Sequence, residues 1–180
     1  MSYIGASRED REKNDYYPTP EYVTEALLSR EIFIGTIWQP ACGEGHISKV
    51  LEENGFYVIS SDLIDRGYGK VQDFFKPTSN SVTNIITNPP YKLAKKFVEH
   101  SKTKATCKIA MFLKLNFLES ISRYEMFQDT EFPLARVYVF SKRVTLSKDG
   151  TGPSKGGTVA YAWYVWDRQH IGPPEIHWIK

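Results

Sequence analysis

The chain has 180 residues, 41% of them hydrophobic and 24% charged, with a formal net charge of +2, which suits one soluble domain with a core of its own. No apolar run approaches the length of a membrane-spanning helix, and the mixed-charge opening "MSYIGASREDREKND" has no signal-peptide core, so membrane insertion and export are not expected. Cys42 and Cys107 have neither metal-ligand spacing nor the look of a disulfide framework, which points to a reducing, cytoplasmic setting and no metal.

Residues 1–14 read as a flexible lead-in and 15–180 as a single domain. "PTPEYVTEALLSREI" predicts a helix, with Pro20 at a first helical position after Thr19 and Val23, Ala26, Leu27 and Ile32 near helical spacing. "GTIWQP" predicts a short buried strand stopped by Pro40, and "GEGHISKVLEENG" a helix starting near Gly45. "FYVISSD" is a second strand, "KVQDFF" a weaker third, and "NIIT" a fourth, followed by the turn "NPPY" and the helix "KLAKKFVEHSK". "ATCKIAMFL" predicts a fifth strand and "FLESISRYEMFQ" a helix. "ARVYVFSKRV" and "TVAYAWYVWD" are strands separated by a Gly/Lys/Ser-rich loop, with Trp163 and Trp166 read as sharing one periodicity and as core or interface groups rather than base-stacking ones. Strands alternate with helices up to residue 128, so the fold class is α/β with a mostly parallel sheet, helices on both faces and the last two strands as an antiparallel terminal hairpin.

Two strand ends carry the chemistry. After the first, "QPACGEGHIS" places Gly43 and Gly45 in a tight turn opening a helix, where a ligand can approach the backbone. Asp62 ends the next strand near the spacing at which an acid reaches a ribose hydroxyl. Position 48 is serine, so the dinucleotide fingerprint is incomplete, and the pattern points to a nucleoside-bearing cofactor. In "QDFF", Asp73 can accept from an adenine amino group and Phe74 can cover the ring, while one of Phe74 and Phe75 is expected to pack in the core. After the fourth strand, Asn88 and Pro89 each precede a proline and are held extended, away from helix. The Asn88 side-chain oxygen and the Pro89 carbonyl then remain as acceptors beside the Tyr91 ring, because prolines donate nothing. Two acceptors and one ring suit a planar substrate bearing an NH₂ group: the acceptors favour a pyramidal nitrogen with its lone pair exposed, and the ring fixes the approach.

"NPPY", preceded by "QPACGEG", Asp62 and "QDFF", resembles the S-adenosylmethionine-dependent amino-methyltransferases, particularly the DNA adenine-N6 methyltransferases. "DYYPTPEYV" is similar to their N-terminal cofactor motif. "KLNFLES", "RVYVFSKRVTL" and "AYAWYVWDR" resemble the small orphan adenine methyltransferases of phages and prophages, so the resemblance covers nearly everything beyond residue 14. It implies a Rossmann-like class I methyltransferase fold, a seven-stranded sheet with a reversed last strand. It also implies S-adenosyl-L-methionine as cofactor and S-adenosyl-L-homocysteine as product. Thr19, Pro20, Ala41, Gly43 and Gly45 would line the methionine end. Tyr16 and Tyr17 are placed to roof the cofactor or to pack the N-terminal helix, one of them being expected to pack, and Tyr17 is the candidate cofactor contact. Asp62 would hold the ribose, and Asp73 and Phe74 the adenine. Asn88, Pro89, Pro90 and Tyr91 would form the catalytic turn, Asn88 also lying against the cofactor. Methyl transfer would be direct, without covalent intermediate or metal. The resemblance departs at Gln39, where many members carry an acid.

A base in a duplex reaches such a pocket only when flipped out, and its strand needs a cationic surface. Residues 1–91 carry 8 Lys/Arg against 13 Asp/Glu, whereas 92–180 carry 15 against 8. Lys92, Lys95 and Lys96 follow the catalytic turn, and Lys142, Arg143, Lys148 and Lys155 lie in or near the loop between the last two strands; these are the candidate phosphate contacts. DNA is the expected partner. RNA, or a relative that binds without turnover, is the alternative. The chain has no room for a separate target-recognition domain, so short or relaxed specificity is expected, set by loops 141–158 or 64–83 or by a partner protein.

Overall fold

A computed structural model describes residues 16–77, 81–146 and 159–180. The expected lead-in and two of the candidate phosphate contacts, Lys148 and Lys155, lie outside the described residues. Apolar side chains that alternate along the strands supply two cores, one on each face of a single sheet. The central strands are β1 (Ile37–Gln39), β2 (Val58–Asp62), β4 (Val82–Thr87) and β5 (Ala105–Lys114), and they run parallel. Ile85, Ile109 and Met111 face one core, Ile86, Ala110 and Phe112 the other. Helices α1 (Glu21–Leu28) and α2 (His46–Glu53) cover the second face through Val23, Leu27, Ile47 and Leu51. Helices α3 (Ala94–Lys104) and α4 (Tyr124–Phe127) cover the first through Phe97, Val98 and Met126.

Strands β6 (Leu134–Phe140) and β7 (Tyr161–Asp167) form the expected antiparallel pair, with β7 inserted antiparallel against β5. Trp163 and Trp166 are both fully buried, but three residues apart they enter opposite cores. Among the described residues the sheet has eight strands rather than seven, in the order β3 (Lys70–Val71), β2, β1, β4, β5, β7, β6 and β8 (Glu175–Ile179). The additional one, β8, pairs parallel with β6 beyond the hairpin, so the hairpin is not the sheet's edge.

Two other elements differ from expectation. The strand read over 70–75 shrinks to β3 (Lys70–Val71), because Asp73 turns the chain by accepting from the Phe75 amide at 3.0 Å. The helix expected over 117–128 breaks into 3₁₀ turns, Leu115–Leu118 and Ile121–Arg123, and the single turn of α4. Ser120 accepts from Ser122 N, and the Arg123 guanidinium takes the carbonyls of Phe117, Asn116 and Glu119 that a helix would have paired internally.

Candidate active site

The carboxyl ends of β1, β2 and β4 open into a cleft of about 600 Å³, the position at which open α/β sheets place ligands. Its floor comes from the β1–α2 connection. There the buried Gln39 side chain brackets Ala41, its Oε1 accepting from Ala41 N at 3.0 Å and its Nε2 donating to Ala41 O at 3.1 Å. Only an amide can do both, which gives a local reason for glutamine at this position. Gln39→Glu sets a carboxylate against the Ala41 carbonyl and is expected to cost about 1–3 kcal/mol, read as a lowered urea midpoint.

Asp62 ties the next strand end to this loop: its Oδ2 accepts from Gly43 N at 2.8 Å and its Oδ1 from Ile64 N at 3.0 Å. Each oxygen keeps a further lone pair for a ligand hydroxyl. Cys42 lies alongside, but burial, reinforced by the Asp62 charge, pushes its thiol up to about 11, so it is no nucleophile at neutral pH.

The two loop glycines have positive φ, 54° at Gly43 and 86° at Gly45. What crowds them is the chain's own tyrosines: a Cβ at Gly43 would stand 2.2 Å from the Tyr16 ring, and one at Gly45 2.7 Å from the Tyr68 ring. Tyr16 is thereby seated over the loop, accepting from Glu44 N through its hydroxyl at 3.3 Å, with the Arg66 guanidinium stacked 4.0 Å from its ring centre. Tyr16, Tyr17 and Arg66 all line the cleft, whereas Gly43 and Gly45 support it from outside. Gly45→Ala forces a left-handed alanine and is expected to cost about 1–2 kcal/mol, again measurable by urea denaturation.

Asn88 follows β4. Its Nδ2 donates to Thr19 Oγ1 at 3.0 Å and to the Tyr17 carbonyl at 3.3 Å, linking the strand end to the segment before α1. That commitment assigns the amide nitrogen and leaves Oδ1 as an acceptor. The Pro90 carbonyl is taken by Leu93 N at 2.8 Å, but among the described residues nothing donates to the Pro89 carbonyl or to Asn88 Oδ1. Thr19, Ala41, Asp62, Asp73, Asn88 and Pro90 line the cleft. Pro20 instead caps α1, Pro89 is buried, and Tyr91 opens a 3₁₀ turn outside the lining, 5.9 Å from the Tyr161 ring.

Phe74, expected at the adenine face, and its neighbour Phe75 both line the cleft. Phe74 is 3% exposed and packed among Trp38, Phe97 and His100, whereas Phe75 is 37% exposed and offers the more open ring. Phe75 and Arg66 are among the cleft residues to which the sequence gave no site role. Only the paired phenylalanines held a signal for one of them.

Of the candidate phosphate contacts, Lys92 lines the cleft and Lys96, Lys142 and Arg143 are exposed. Lys95 is engaged within the chain, donating to the Ser122 carbonyl at 2.6 Å and pairing with Glu99 at 3.6 Å.

No protein-family model matches the sequence, and no curated protein matches it. Solved structures do match in fold. A modification subunit assigned to a type I restriction enzyme of Vibrio vulnificus YJ016 superposes with a TM-score of 0.62 at 13% identity, covering 95% of this chain. The chain spans about half of that subunit, 48%. A protein assigned as an RNA methyltransferase of Pyrococcus horikoshii gives 0.66 at 14% identity, covering 86% of this chain and 87% of the other. A dimethyladenosine transferase of Plasmodium falciparum gives 0.59 at 12% identity, covering 86% and 64%. The chain therefore has the Rossmann-like fold of class I methyltransferases.

Proposed function

We propose that the chain is an S-adenosylmethionine-dependent methyltransferase that modifies the exocyclic N6 amine of adenine in DNA. The observation that carries this is the Asn88 amide. Its nitrogen is spent on Thr19 and Tyr17, so its oxygen is left as an acceptor on a residue that lines a nucleoside-sized cleft, and the adjoining Pro89 carbonyl is likewise uncommitted among the described residues.

The residues present fit the cofactor. Asp62 retains lone pairs for ribose hydroxyls, Asp73 has one oxygen beyond its turn bond for an amino group, and Phe75 offers an exposed ring beside it. Thr19, Ala41 and Tyr17 border the remaining length of the cleft, where the methionine portion belongs. The cofactor supplies an electrophilic methyl group on a sulfonium centre. The chain's part is to hold the amine: Asn88 Oδ1 and the Pro89 carbonyl accept its two hydrogens, and the Tyr91 ring stacks on the base. These fixed dipoles stabilise positive charge as it develops on nitrogen. No strongly basic side chain is needed, because the proton becomes acidic only once the new bond has formed.

The basic C-terminal half and the exposed Lys92, Lys96, Lys142 and Arg143 favour a polyanionic substrate over a protein amide. The fold shared with a restriction-enzyme modification subunit agrees with DNA. The fold shared with an RNA methyltransferase and a dimethyladenosine transferase makes RNA the second reading. Offering DNA, RNA and protein side by side with tritiated cofactor tests this, with mass spectrometry of the product nucleosides. N6-methyladenine in DNA is the expected product. Label only in RNA would transfer the assignment to the second reading, and label in none of the three would remove it.

A further inference from the structure

We propose that Lys114 is a substrate-positioning residue: its ammonium covers the Tyr91 ring until a target base arrives, then moves to a phosphate beside that base. This rests on the reading of the Asn88–Tyr91 turn as a nucleic-acid amino-methyltransferase site.

Lys114 is the last residue of β5, the strand next to β4, and lies directly opposite Tyr161 across the β5–β7 ladder. Its Nζ stands 4.8 Å from the Tyr91 ring centre, over the ring. Its main chain is fixed, because the Tyr164 hydroxyl donates to the Lys114 carbonyl at 3.1 Å and Leu115 N donates to Ala160 O at 2.8 Å. Only the four-carbon side chain is left to swing. Tyr91 itself is braced by Tyr161, which stacks on the fully buried Phe112 at 5.2 Å.

A base stacked on Tyr91 cannot share a ring face with an ammonium at this distance. Stacking of a base on an aromatic ring is the stronger contact, since a half-exposed cation–π pair retains much of its solvation, so the base displaces the ammonium. The charge is not held by an ion pair: among the described residues no carboxylate lies within 4.0 Å of Lys114 Nζ where it stands over the ring. The nearest anion on a bound strand is the phosphodiester flanking the extruded nucleotide, where the charge joins Lys92 and Lys96. Base entry and one phosphate contact are thereby coupled in one side chain.

The coupling predicts a salt dependence that a fixed phosphate contact would not give. Two oligonucleotides of the methylated type are compared, one holding the target adenine and one with an abasic residue in its place, and binding is measured over a range of salt. For the wild type, the slope of log Kd against log salt is expected to be steeper by about one for the adenine oligonucleotide, because only the base evicts Lys114. In Lys114→Met the two slopes are expected to coincide, with methyl transfer reduced through KM more than through kcat. Lys114→Gln serves as the second variant, and a denaturant midpoint near the wild-type value shows that each is folded. Equal slopes in the wild type overturn the proposal without reference to any variant, as does a slope difference that survives in both variants. A wild type that methylates nucleic acid yet gives equal slopes overturns this inference alone. A wild type that transfers no methyl to any nucleic acid overturns the functional reading as well.

Discussion

Asn88→Ala is expected to lower methyl transfer by about 10²–10³-fold, the scale for removing one preorganised dipole from a reacting centre. The alanine removes the acceptor proposed for the amine. It also releases the Thr19 hydroxyl and Tyr17 carbonyl that the amide nitrogen holds, so cofactor affinity should weaken in parallel. Asn88→Asp separates the two roles. A carboxylate keeps an acceptor in place but points a second one at the Tyr17 carbonyl, and the 17–19 segment is expected to detach. Aspartate should therefore lose cofactor binding at least as severely as alanine, by calorimetric titration, and should not restore turnover in the tritium assay. Alanine with wild-type turnover would leave this corner without a catalytic part.

Glu31 carries the second large effect, on stability. Its carboxylate is 2% exposed and receives Lys108 Nζ at 2.8 Å, the Arg136 guanidinium and the Tyr138 hydroxyl at 2.7 Å. Asp167 completes the cluster, accepting from Arg136 Nη2 at 2.8 Å. Removing one member of a buried charged set leaves the others uncompensated, so Glu31→Ala is expected to destabilise by about 3–5 kcal/mol in urea. Burial pushes the Glu31 carboxyl upward, but hydrogen bonds from Arg136, Lys108 and Tyr138 together outweigh it and hold the group below the usual 4.5. Burial likewise raises Asp167, and the Arg136 hydrogen bond leads the contacts that bring it below 3.8. Both folded values are depressed, so this stabilisation is present above about pH 4.5 and is lost as pH falls through the folded values. The urea midpoint of the wild type should fall on acidification through that window, and Glu31→Gln should flatten the fall while lowering the midpoint at pH 7.

How much of this could be read from residues alone depended on how local the determinants were. The connection from β1 through α2 to β2 was legible because proline, two glycines and an aspartate each impose a conformation on their own neighbours. Asn88-Pro-Pro was legible for the same reason. β8 was not, since four of its five residues are exposed and its pairing partner lies some forty residues earlier in the chain. The break in the helix expected over 117–128 depends on where the Arg123 guanidinium reaches, which periodicity does not encode. Phe74 and Phe75 are adjacent and chemically identical, so only packing against Trp38 and Phe97 decides which of them enters the core. The closure of Tyr16 over Gly43 joins residues 27 positions apart and had no local signature.

The Glu31 cluster joins the turn after α1 to the early parts of β5 and β6 and the last residue of β7, at the opposite pole of the sheet from the strand ends that form the cleft. Effects at well-separated sites combine nearly additively. Directed selection for heat resistance can thus work on the lower rim, replacing charged groups or tightening their surroundings, while the cleft at the upper rim stays free to vary.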